Sequence, residues 1–109
     1  MDFNLIQRAV IANADEYEKR FNVKIDKEFA LLKLVEEVGE YMQAILIHER
    51  KSRPEKFLDP ARSKEEVAKE LADVVGMAIV NAHLQGIDLE AALKMKWIKN
   101  AEPAIITAP

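Results

Sequence analysis

Apolar residues in this chain recur every three or four positions rather than in alternation, and the residues that would break that period are scarce: three glycines and four prolines in 109 residues. That spacing puts side chains on one side of a helix, so the chain is read as four helices and no strand. The first runs from about Asn4 to Arg20, with Leu5, Ile6, Ala9, Val10 and Ala12 toward the core and Tyr17 and Phe21 closing its end. Asp26 can accept a hydrogen bond from the free amides of a first turn, and the second helix continues from it to about Arg50. Its Leu31, Leu34, Val35, Val38, Met42, Ile45 and Leu46 make one continuous apolar stripe. The charged stretch from Lys51 to Arg62, with Pro54 and Pro60, is the one clear loop. Ser63 and Glu66 have the spacing of a capping box and predict the start of the third helix, which ends near Gly86. Asp88 then caps a fourth helix to about Asn100, and residues 103–109 read as an extended tail.

A chain of this length suits one domain, residues 1–109, and a domain this short leaves apolar area that association with further copies would cover. A homodimer or homotetramer is therefore expected. Sixteen basic against 19 acidic residues provide no positive field for a nucleic-acid backbone. With no cysteine, thiolate nucleophiles and thiolate zinc sites are excluded and oxygen ligands remain the main metal chemistry. Met1-Asp2-Phe3-Asn4 lacks the basic start of a signal peptide, and the longest nearly apolar run, Val74 to Ala82, is far short of the ~20 residues of a membrane span. A soluble, cytoplasmic protein is expected.

The acids carry the chemistry. Glu37 and Glu40 fall on one side of the second helix with Glu36 beside them, roughly opposite the apolar stripe. Alone, these are an ordinary solvated face. On the third helix, however, Glu70 and Asp73 share a face and lead into Val74–Ala82, which is apolar nearly all round and belongs at the centre of a bundle. A carboxylate held there without a partner costs several kcal/mol or takes up a proton. If the second and third helices pack antiparallel, the two acidic patches meet, and a hard divalent cation, magnesium or manganese, relieves their repulsion. The alternative is that Asp73 caps, or pairs with Lys69 or Lys33 at the surface.

Glu36-Glu37-Val38-Gly39-Glu40 followed by Glu70-Leu71-Ala72-Asp73 resembles the EExxE and ExxD pair of the MazG-like nucleotide pyrophosphohydrolases, in the all-α NTP pyrophosphatase superfamily. Gly86-Ile87-Asp88 and Lys96-Trp97-Ile98-Lys99-Asn100 follow in the family's order, so the resemblance covers about Leu31 to Asn100. It implies an all-α, four-helix-bundle-like fold completed by oligomerisation. It also implies magnesium-dependent hydrolysis of a nucleoside or deoxynucleoside triphosphate to the monophosphate and pyrophosphate, as in clearing of the nucleotide pool. Glu37, Glu40, Glu70 and Asp73 would then be metal ligands, with Glu36 binding metal or, like Glu37, handling the attacking water. Lys96 and Asn100 would meet phosphate or sugar, and Lys33, one turn before Glu37, would touch phosphate or pair with Glu37 or Glu36. Two departures stand out: a long gap from Tyr41 to Lys69, and no basic residue after Asn100. The alternatives are phosphoribosyl-ATP pyrophosphohydrolase, a similar short helical enzyme against which Lys96 to Asn100 argues, and a non-catalytic helical dimerisation module. His48 and His83 are read as ordinary helix positions, Trp97 as core or dimer packing, and Arg50, Lys51 and Arg53 as a solvated turn.

Overall fold

The computed structural model describes residues 2–99. Four helices follow in order: α1 (Phe3–Phe21), α2 (Lys27–His48), α3 (Pro60–Leu84) and α4 (Leu89–Leu93). A 3-10 turn over Pro54–Lys56 sits in the α2–α3 connection, and α4 runs on into a π-helical turn over Lys94–Ile98. No strand occurs among the described residues, and the fold is all-α. No helix among them is long and apolar enough to cross a membrane. Asn100, Pro103 and the expected tail lie outside the described residues.

Each helix starts on an aspartate. Asp2, Asp26, Asp59 and Asp88 accept from the backbone amides of Leu5, Phe29, Arg62 and Ala91, which satisfies one orphan donor of each first turn. The first three helices also end alike, on a residue of positive φ: Asn22 at 51°, Arg50 at 59° and Gly86 at 68°. After each, the next amide bonds back five residues, Val23 to Glu18, Lys51 to Leu46 and Ile87 to Ala82. The start of α3 differs from the expected one. Asp59 and Pro60 form the cap and first residue, since proline's fixed φ suits a first turn and its missing N–H is not needed there. Ser63 therefore lies inside the helix, 3% exposed, where its hydroxyl donates to the Pro60 carbonyl.

Helices α2 and α3 are antiparallel and form the main packing contact, with α1 laid against α3. Two polar contacts set their register. Near one end, Asn81, 7% exposed, donates from Nδ2 to the carbonyls of Ala30 at 2.9 Å and Met77 at 2.8 Å. Near the other, His48 Nδ1 lies 2.6 Å from Ser63 Oγ. Ala30 to His48 and Ser63 to Asn81 are both eighteen residues, a rise of about 27 Å on either helix.

The buried faces depart from the sequence reading. The α2 residues pressed into the protein interior are Ala30, Glu37 and Ala44, seven apart, because methyl side chains let α3 approach closely. The apolar stripe faces outward in the single chain: Leu31, Val35, Val38, Met42 and Leu46 are exposed, Val35 to 71%. On α1, Leu5, Ile6, Ala9 and Ala12 are likewise exposed, and Phe3, Gln7, Val10, Ile11 and Ala14 form the half-buried line instead. Trp97, 69% exposed, is not core. In α3, by contrast, Ile79, Val80, Asn81 and Ala82 are all buried, as a central helix requires. The radius of gyration, 16.7 Å, exceeds the roughly 13 Å of a compact domain of this length, consistent with a face left open. Replacing Asn81 by alanine should remove both hydrogen bonds, the one to Ala30 fully buried, and destabilise the protein by ~1–3 kcal/mol. A denaturant midpoint equal to that of the parent would show that this contact carries no stability.

Candidate active site

The register brings the acids together. One carboxylate oxygen from each of Glu37, Glu70 and Asp73 lies within 4.8 Å of the others. Glu40, one turn beyond Glu37, is near enough to both Glu37 and Glu70 to share a hydrogen bond with each when a proton is present. Glu37 Oε2 and Glu70 Oε2 are buried and have no hydrogen-bond partner among the described residues. Burial is the main cause that pushes the Glu37 carboxyl up to about 7, reinforced by its hydrogen bond with Glu40 and the charges of Glu40 and Asp73 and opposed by Lys33. Glu70 is raised for the same reasons, burial first, then the charges of Glu40 and Asp73.

Two orphaned oxygens on acids that resist ionisation need either protons or a cation. The donor set is hard oxygen throughout, which fits magnesium or manganese and fits poorly with soft metals. Neither surface explanation of Asp73 describes the arrangement, since Lys69 pairs with Glu66 at 3.3 Å and Lys33 with Glu36 at 2.6 Å. That pair holds Glu36 at the rim, more than half exposed and outside the converging three, and the hydrogen bond to Glu36 raises the Lys33 pKa.

Lys33 also lines an open cavity of ≈ 400 Å³ that reaches from Glu37 and Asp73 across to α1. Its largely apolar wall is built from Val10, Tyr17, Phe29, Met77 and Val80, with Asn13 adding a neutral amide. Gly76 adds space, because a Cβ there would meet no heavy atom within 4 Å. None of the α1 residues stands out in the sequence as functional. They acquire a role only because α1 crosses beside the acids. Lys96 lies in the π-helical turn and does not line this cavity, while Asn100 falls outside the described residues.

The sequence profile of phosphoribosyl-ATP pyrophosphohydrolase matches residues 7–95. The chain belongs to that family. Phosphoribosyl-ATP pyrophosphohydrolases share the all-α NTP pyrophosphatase superfamily with MazG proteins, so the coarse activity is pyrophosphohydrolysis of a nucleotide-like substrate. The match to the phosphoribosyl-ATP pyrophosphohydrolase profile stops just short of Lys96 to Asn100, the segment on which a MazG-like reading leans. No curated protein and no solved structure matches the chain.

The raised acids make stability depend on pH. In the folded chain Glu37 keeps its proton to about 7, against 4.5 when unexposed to these neighbours, so between those values the folded state binds more protons and stability falls as pH rises. The melting temperature of the metal-free protein should thus drop across that window. Glu37→Gln should flatten the profile and raise the melting temperature at pH 8. Parallel profiles for the two proteins would contradict this account of the buried acid.

Proposed function

We propose that the protein hydrolyses a nucleoside or deoxynucleoside triphosphate to the monophosphate and pyrophosphate with magnesium, or manganese in its place. The observation that carries this reading is the pair of orphaned oxygens, Glu37 Oε2 and Glu70 Oε2, in an acid cluster whose Glu37 and Asp73 border a cavity with an aromatic wall. Glu37, Glu40, Glu70 and Asp73 are the residues that would hold the ion. When bound there, it would make phosphorus more electrophilic, lower the pKa of water and neutralise charge on the departing pyrophosphate.

The chain's own groups divide the remaining work. Water adds across the α–β phosphoanhydride: its oxygen bonds phosphorus, the anhydride P–O bond breaks with its electron pair on the departing oxygen, and a carboxylate takes the proton. Glu36 and Glu37 are the acids assigned to that water. Lys33, Lys96 and Asn100 are assigned to phosphate or sugar. Tyr17 and Phe29 offer flat apolar surface to a base, which packs well on aromatic faces. A second reading, phosphoribosyl-ATP as substrate, is favoured by the family match and would use the same bond and the same acids.

The outward stripe on α2, continued by exposed Leu71 and Val75 on α3, supports association of copies into a homodimer or homotetramer. The setting proposed is the cytoplasm.

A panel of canonical and modified triphosphates, with phosphoribosyl-ATP included, should release pyrophosphate only when magnesium is present and identify the preferred base. Glu40→Ala and Asp73→Ala should each lower that release by orders of magnitude at unchanged helicity; retained activity in both would refute the site assignment. A charge at the centre of the outward stripe, Val35→Asp, should shift sedimentation toward the monomer, whereas an unchanged oligomer would remove that face from the interface.

A further inference from the structure

The carboxylates stand between two cavities of unlike chemistry. Glu37 and Asp73 border the first, apolar one, and Glu40 and Glu70 border a second, also ≈ 400 Å³, whose other lining includes Gln43, Arg62, Ser63 and Glu66. Each cavity has one basic side chain in its wall, Lys33 in the first and Arg62 in the second. Lys33 is neutralised at 2.6 Å by Glu36. Arg62 has no ion pair among the described residues, although Glu66 follows it one helical turn later in the same wall. Glu66 pairs instead with Lys69 at 3.3 Å.

A guanidinium with no ion pair among the described residues, in a wall shared with Glu40, Glu66 and Glu70, is in the place where a polyanion needs help. A triphosphate approaching Glu40 and Glu70 meets repulsion from acids that a single divalent ion offsets only in part. Arginine presents a planar fork of donors that matches phosphate oxygens two at a time, and it stays charged at every pH the protein meets. Position matters as well: Arg62 shares the second cavity with Glu70, so an anion lying there can contact both the guanidinium and an ion held by the acids.

We propose that this second cavity binds the pyrophosphate end of the substrate through Arg62, so that the molecule lies across the acids with its nucleoside on the Tyr17 and Phe29 side. The proposal rests on the triphosphate reading above and gives that reading a direction. Arg62 is exposed in the first turn of α3, where Asp59 accepts from its backbone amide and replacement by alanine or lysine keeps that cap.

The test is a double dissociation, read by calorimetry with magnesium present, of inorganic pyrophosphate and of the nucleoside monophosphate product. Arg62→Ala should weaken pyrophosphate binding at least tenfold and leave the monophosphate unchanged, with Arg62→Lys in between. Gly76→Val, which adds bulk to the first cavity at a position where a Cβ meets no heavy atom within 4 Å, should do the reverse. Equal pyrophosphate affinity in the parent and Arg62→Ala overturns the proposal even where the parent turns over triphosphates. If the parent turns over no triphosphate yet loses pyrophosphate binding in Arg62→Ala, the anion site stands and the substrate reading falls.

Discussion

The antiparallel register of α2 on α3, held at one end by Asn81 on the Ala30 carbonyl and at the other by His48 on Ser63, determines which residues of the two helices stand level. Counting inward from these contacts, Glu37 is opposite Val74 and Glu40 opposite Leu71, so each glutamate is one residue from level with an acid of α3. A slip of one turn, about 5.4 Å, would separate Glu37 from Asp73 and leave the buried oxygens of Glu37 and Glu70 without a common ligand. The polar contacts are well suited to preventing such a slip. A buried amide donor satisfied in one register is unsatisfied in the neighbouring ones, whereas apolar contacts between alanines discriminate weakly.

That register places the cost of the site in the main packing interface. Glu37 occupies the middle of the line Ala30–Glu37–Ala44, a position where an apolar residue would serve packing better. Desolvation there favours the protonated acid, and the neighbouring carboxylates add to it. A folded state that tolerates this arrangement is strained toward binding either protons or a cation, and the second outcome is the one a phosphoanhydride hydrolase uses. Structural economy runs against the cluster and chemistry runs for it, a tension common at functional sites.

The surroundings make the cluster directional. Apolar and aromatic side chains from α1 and the start of α2 close one side, and Gln43, Arg62 and Glu66 line the other. This division arises because α1 lies along α3 on the Asp73 side, while the α2–α3 connection returns beside Glu70 and brings the first turn of α3 with it. The outward apolar row of α2 belongs to a different task. It has the period of a packing face and no partner among the described residues, so the same helix presents Glu37 inward and a hydrophobic row outward.

The sequence alone determined the helical class, since apolar period and scarce breakers act locally, and it determined the caps at Asp26 and Asp88 and the left-handed close at Gly86 for the same reason. Spacing within each helix also put Glu37 with Glu40 and Glu70 with Asp73 on common faces. The start of α3 was ambiguous because Asp59-Pro60 and Ser63 both carry capping signals within five residues, and proline in that place marks a loop as readily as a first turn. Only the tertiary structure decided which face of α2 is buried, because period reports where apolar groups lie and not which neighbour covers them. It alone decided the two cavities, whose walls join residues from Val10 to Val80 that no local pattern connects, and it alone decided that Arg62 lies in a wall with Glu40 and Glu70 and without an ion pair among the described residues. Those features depend on how helices cross, and crossing is set by packing between segments far apart in the chain.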